Sequence, residues 1–176
     1  FEHLYGLGHR SFGMGAITNE TSKKVLQQAF KDFCRQHPQD KMNLELYCCR
    51  EDEYDKFDFG AIIAQKWSQA ANRPTAILGF DQFCIGFLGQ VFRLGFRCPQ
   101  DVSVVSDSET VLCQRMYPRI TSIREPLLEN AYRAAGLFLD YISGAVSWVE
   151  ANRCSEGLWK AGELVVHEST GAVLKA

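Results

Sequence analysis

The sequence predicts an α/β fold, a doubly wound parallel sheet sandwiched between helices. Three observations carry this expectation. Strand-like and helix-like segments alternate along the first two thirds of the chain. Several strands are short, continuous apolar runs, such as Thr75 to Gly79 and Val102 to Ser106, the pattern of strands covered on both faces. Turn residues (Pro38, Arg73-Pro74, Gly95) separate each helix from the next strand, which is the rhythm of βαβ units.

Glu2 to Leu7 reads as a helix end closed by Gly8, and Ser11 to Ile17 as the first strand, with Phe12, Met14 and Ala16 alternating. Thr21 or Ser22 is placed to cap a helix running to about Gln36. Its expected apolar face holds Val25, Leu26, Ala29, Phe30 and Phe33, and Pro38 stops it. Asn43 to Cys49 is the second strand. An acidic loop, Arg50 to Asp58, leads to a helix from about Phe59 to Ala71. After the strand Thr75–Gly79, Asp81 can cap a helix to Leu94, ended by Gly95. Cys98 to Asp101 then turns into the strand Val102–Ser106.

The last third differs. Arg119 to Ile123 is strand-like, and Pro126 opens an amphipathic helix whose apolar face carries Leu127, Leu128, Ala131, Ala135, Phe138, Leu139 and Ile142, with Gly144 ending it. Ala145 to Ala161 reads as irregular and carries Trp148 and Trp159. Glu163 to His167 reads as a closing strand.

Composition narrows the function. The chain has 176 residues, enough for one ordinary domain, and its 46% hydrophobic and 23% charged residues are those of a globular protein. With 19 basic against 21 acidic side chains the net charge is −2, and there is no basic stripe of the kind that neutralises phosphates. No direct contact with DNA is expected, and no run reaches the ~20 apolar residues of a membrane helix. The seven cysteines form no C-x-x-C pair. Cys34, Cys84 and Cys98 sit among apolar residues, while Cys48 and Cys49 point to opposite faces of a strand. Free thiols and a cytoplasmic location are expected.

Catalytic patterns are absent. Gly6-Leu7-Gly8 lies at a helix end, so it reads as a cap and not as a phosphate loop. There is no Walker A loop and no nucleophile elbow. His3, His9, His37 and His167 have no metal-ligand spacing, and the carboxylates from Glu51 to Asp58 read as a solvated loop. No enzyme activity, metal or cofactor is expected.

Five segments, in order, carry a family resemblance. They are His3 to Arg10; Arg73 to Ile77 with Asp81 and Gly86; Gly95 to Val105; Pro118 to Ile123; and Glu168 to Thr170. Together they resemble the second lobe of the sensor domain of LacI/GalR-family transcriptional regulators. The resemblance implies a periplasmic-binding-protein-like lobe that closes with a first lobe around a small effector, commonly a sugar. It also implies a homodimer, and DNA binding only through a separate head absent from this chain. The alternative is a sugar-binding protein of a transport system, which shares the fold. In this frame residues 1–118 are the second lobe, 119–144 a strand and helix that cross to the first lobe, and 145–176 an irregular segment with a return strand. The crossing helix, left alone, is expected to pack back on the main domain or to swap with a second chain.

In open α/β sheets ligands meet the loops at the carboxyl ends of the strands. Those loops begin near Ile17–Ser22, Cys49–Glu51, Gly79–Asp81 and Ser106–Glu109. The resemblance places ligand contacts at Ser22, Phe80, Asp81, and Asp107 or Ser108. Each has a plainer alternative: Ser22 and Asp81 as helix caps, Phe80 as core, Asp107 and Glu109 as exposed turn residues. Ser22, Phe80 and Ser108 stand where the family usually has stronger polar groups. The helix from Asp81 has almost no polar face. A helix apolar all round needs cover on two sides, so Phe83, Phe87, Leu88, Val91 and Phe92 are expected at a dimer interface.

Overall fold

The computed structural model describes residues 1–17, 20–50, 52–155 and 159–173, with the side chains of 20–22 and 154–155 also outside the description. In chain order the elements are α1 (Glu2–Gly6), β1 (Ser11–Ile17), α2 (Glu20–Gln36), β2 (Asn43–Cys49), α3 (Lys56–Gln69), β3 (Ala76–Gly79), α4 (Asp81–Arg93), β4 (Ser103–Ser106), α5 (Val111–Arg115), β5 (Thr121–Arg124), α6 (Leu127–Ile142), α7 (Trp148–Ser155) and β6 (Glu163–Val165). Six strands form one sheet in the order β2-β1-β3-β4-β5-β6, and β1 through β5 pair in parallel. The chain divides into two compact units, Phe1–Ser122 with Val165–Ala176, and Ile123–Leu164.

In the larger unit, side-chain alternation along the strands assigns the two faces of the sheet. Phe12, Ala76 and Val105 pack with Leu4 and Phe33 from α1 and α2. Ile77 and Val104 point to the opposite face and join Phe59, Ile63, Trp67, Phe83, Phe87, Leu88 and Val91 from α3 and α4. On that face the small residues are functional in packing: a Cβ on Gly15 or on Gly79 would run into the Phe83 ring. Two strands therefore present bare backbone beneath one large aromatic side chain, which is 0% exposed. Trp67 is held in place by its indole N–H, which donates to the Pro74 carbonyl at 2.8 Å.

α3 and α4 approach each other through glycine. A Cβ on Gly86 would strike the carbonyl of Phe57, and one on Gly60 would strike the carbonyl of Phe83. This contact corrects the expected dimer interface. Phe83, Phe87, Leu88 and Val91 are each 0% exposed inside the single chain, because α3 supplies the second cover that a partner was expected to provide. Of the five residues, only Phe92 is exposed.

Other differences are local. Phe80 and not Asp81 is the N-cap residue of α4. α2 is already helical at Glu20, ahead of the expected caps at Thr21 and Ser22, and its Val25 and Ala29 are exposed. Two helices were not anticipated: the five-residue α5, whose cap Thr110 accepts from the Cys113 N–H, and α7 within the stretch read as irregular.

At the amino ends of the strands a buried histidine joins four segments. His9 Nδ1 lies 2.8 Å from Thr75 Oγ1, and Nε2 lies 3.0 Å from Ser103 Oγ and 3.1 Å from the Gly171 carbonyl. Gly171 O only accepts, so Nε2 carries the proton and Nδ1 is the acceptor for Thr75. Burial lowers the His9 pKa below the ordinary histidine value, opposed in part by the Gly171 carbonyl. Nearby, Ser169 works as a strand substitute: its Oγ donates to Val104 O at 2.6 Å and accepts from Thr121 N at 2.8 Å. The return segment is thus stitched to β4 and β5 without being a regular strand there.

In the smaller unit, α6 exposes Leu127, Leu128, Phe138, Leu139 and Ile142, and α7 exposes Trp148. Asn130 is buried and ties α6 to the segment before β6, accepting from the Lys160 N–H at 2.9 Å.

Candidate functional site

The carboxyl ends of β1, β3 and β4 open on a pocket of about 580 Å³. β1 contributes Met14 to Ile17, the β3–α4 turn contributes Phe80, Asp81 and Gln82, and the residue after β4 contributes Asp107. Val25 and Leu26 from α2 and Lys56 from the first turn of α3 complete the described lining. The location follows from the topology. Parallel strands direct all their carboxyl-end turns to one edge, and helix starts gather there with them.

Each part is set by local chemistry. Gly79 ends β3 beneath the Phe83 ring, and the chain then turns at Phe80 in an extended conformation before α4 begins. Phe80 is half-buried and packs against Phe83 with ring centroids 5.7 Å apart, while also lining the pocket. It therefore belongs to both core edge and cleft, the two alternatives its position left open. Asp81 sits in the first turn of α4, and its side chain forms no hydrogen bond or ion pair with another described residue. The Asp107 N–H donates to the Gly79 carbonyl at 2.8 Å, which carries the β3–β4 pairing one residue further and leaves the carboxylate at the pocket.

Of the residues expected to contact a ligand, the structure brings Phe80, Asp81 and Asp107 together in this pocket. Ser108 is not among the described lining residues. The Ser106 hydroxyl donates to the Ser108 carbonyl at 2.9 Å, and the Ser108 hydroxyl donates to Asp107 at 3.2 Å. Those two bonds close a local turn and commit Ser108 to it. The Ser22 side chain lies outside the described residues. Met14, Val25, Leu26 and Lys56 were missed as lining residues. In the sequence Val25 and Leu26 read as part of a core-facing stripe and Lys56 as part of a charged loop, so no signal separates them from ordinary core or surface.

A second hollow of about 350 Å³ lies between the edge strand β2 and α3, lined in part by Tyr47, Tyr54, Ile62 and Lys66. Among the described residues no group of three or more His, Cys, Asp or Glu could hold a metal ion. Nor is any described helix long and apolar enough to cross a membrane. Six described cysteines are unpaired.

The NTD biosynthesis operon regulator NtdR of Bacillus subtilis is 26% identical over 151 residues, which are 82% of this chain and 44% of that protein. The chain spans less than half the length of this curated relative. Among solved structures, a LacI family transcriptional regulator from Bifidobacterium animalis superposes with a TM-score of 0.80 at 21% identity, covering 98% of this chain and 59% of that one. A LacI family regulator from Enterococcus faecium with bound ribose superposes with a TM-score of 0.72 at 21% identity, covering 98% and 60%. These likenesses agree with the parallel sheet and the ordered segments already described. The model of the periplasmic binding protein-like domain matches residues 1–157, and the chain belongs to that family.

Proposed function

We propose that the chain is the second lobe of the effector-sensing domain of a LacI/GalR-like transcriptional regulator, and that a small ligand of the sugar class binds in the pocket at the carboxyl ends of the strands. The observation that carries this reading is the convergence of Phe80, Asp81 and Asp107 on one pocket. These residues come from the β3–α4 and β4–α5 turns, the segments that the family resemblance assigns to the ligand. An aromatic face suits the apolar side of a sugar ring, and carboxylates accept from its hydroxyls. The bound ribose in one structural neighbour supports the sugar class.

In this reading the chain acts by binding and not by catalysis, in the cytoplasm. A first lobe covers the exposed apolar face of α6 and completes the cleft, and a separate head contacts DNA. Homodimer contacts fall to residues that remain exposed, Phe92 on α4 and Val111 and Leu112 on α5. The transport-protein alternative is less well supported, because the relative and the two structural neighbours described above are all regulators.

Thermal unfolding of the chain with a panel of pentoses and hexoses tests the proposal. Ligand at about 100 times its Kd adds roughly 2.7 kcal/mol, so at least one sugar raises Tm by several degrees, and Asp81→Asn diminishes the rise. No shift with any sugar, or a shift untouched by changes at Asp81 and Asp107, contradicts it.

A further inference from the structure

We infer that the free edge of β2 is a docking site for an acidic, extended peptide segment of another protein, which adds to the sheet as a further strand. The surface shares no described lining residue with the pocket at the carboxyl ends of the strands, and it takes a different kind of partner.

β2 stands at the end of the strand order, and among the described residues it pairs only with β1. The Asn43 N–H donates to the Arg10 carbonyl at 3.0 Å. In a parallel pair each residue turns its N–H and C=O to the same side, and successive residues alternate. Asn43, Glu45, Tyr47 and Cys49 therefore face β1, while Leu44, Leu46 and Cys48 turn their backbone groups outward. Such a row is a template for pairing with an added strand. The side chains of an added strand point alternately to the two faces, and a hollow flanks β2 on each face. The one on the α2 side, about 500 Å³, is lined by the apolar Phe30, Met42, Leu44 and Leu46. The one on the α3 side, about 350 Å³, offers Tyr47, Tyr54 and Ile62.

Charge selects the occupant. Lys23 and Lys31 line the α2-side hollow, with no carboxylate among its described lining residues. Neither lysine forms an ion pair with a described residue. Asp32 and Asp40, close by in sequence, are engaged by Arg35 and Arg10. An incoming carboxylate thus meets two ammoniums above an apolar floor. A second copy of the chain does not fit as well. Two β2 strands paired about a twofold axis would bring the α2 face of one sheet beside that of the other, setting Lys23 and Lys31 against their own images. Like charges placed opposite each other across paired strands are destabilising, and edge lysines are a common guard against self-association.

The test uses labelled peptides the length of β2, one alternating valine with glutamate and one alternating valine with lysine. A third is the glutamate peptide with its alternate backbone amides methylated, which blocks strand pairing. Binding to the chain is followed by fluorescence anisotropy, and amide exchange by NMR. The glutamate peptide is expected to bind about tenfold more tightly than the lysine peptide, and the methylated one to lose binding. Exchange of the Leu44, Leu46 and Cys48 amides should slow on binding, while Glu45 and Tyr47, already bonded to β1, change little. Lys23→Glu combined with Lys31→Glu is expected to erase the preference for glutamate and leave the free chain's spectrum otherwise intact. The proposal is overturned if no peptide binds, if the lysine or methylated peptide binds as tightly, or if the double substitution leaves the preference unchanged. It is also overturned if binding leaves the three outward amides unprotected. Protection of those amides without peptide, rising with chain concentration, would show that a second copy takes the edge instead.

Discussion

Gly86→Ala is expected to destabilise the larger unit by about 3 kcal/mol, whereas Gly89→Ala, one turn further along the same helix, is expected to stabilise it by about 0.5–1 kcal/mol. Both glycines lie inside α4, where alanine is the better helix former. At Gly89 a Cβ meets nothing within 4 Å, so propensity alone decides the sign. At Gly86 the new methyl would overlap the Phe57 carbonyl and lie 2.7 Å from its carbon and 2.9 Å from its Cα. These are backbone atoms of α3, and no rotamer change removes them. The helices must separate, and the packing of Phe83, Phe87 and Phe59 between them loosens. The steric cost outweighs the propensity gain by about fourfold or more. Gly60→Ala makes the reciprocal clash with Phe83 and Phe87 and should behave alike. Denaturant unfolding of the three single variants gives the signs directly. A neutral Gly86→Ala would show that α3 and α4 are not in backbone contact.

Replacing His9 by alanine is expected to cost about 3 kcal/mol at neutral pH, since it deletes a buried ring and strands the polar groups of Thr75, Ser103 and Gly171. The wild-type histidine also makes stability depend on pH. Its folded pKa lies below the ordinary value because burial disfavours the imidazolium. The unfolded chain therefore binds the proton more tightly. Stability is full above the unfolded pKa of about 6.5 and falls as pH drops below it, with a slope of at most about 1.4 kcal/mol per pH unit for one proton. His3, also shifted down by partial burial, adds to the same slope. Stability curves from pH 7.5 to 5 should be steeper for wild type than for His9→Gln. Parallel curves would mean that His9 is not held neutral by the fold.

Much of the fold was legible because its strands announce themselves. Ser11–Ile17 and Asn43–Cys49 emerge with the expected bounds, since alternating or continuous apolar runs flanked by glycine and proline leave little choice. The misreading of α4 has a definite cause. A helix without a polar face signals two covers, but nothing in its own sequence says whether the second is a partner chain or another helix of the same chain. The pair Gly60 and Gly86 was the available signal, because small residues on two helices permit the close approach that hides both. α5 was illegible for a different reason: five residues carry no periodicity, and its cap Thr110 looks like any loop threonine. In the pocket, Asp107 and Ser108 are adjacent in a turn, and sequence alone could not choose between them. The structure places Asp107 in the pocket lining, while the Ser106 hydroxyl donates to the Ser108 carbonyl within the turn.

The most direct test of the central claim is hydrogen–deuterium exchange on the chain with and without the sugar that gives the largest thermal shift. If the carboxyl-end pocket is the effector site, protection on binding should concentrate in Met14–Ile17 and in the Phe80–Gln82 turn, with the β2–α3 hollow at Tyr47 and Tyr54 unchanged. Protection confined to that hollow, or spread evenly over the sheet with none at the β3–α4 turn, would contradict it.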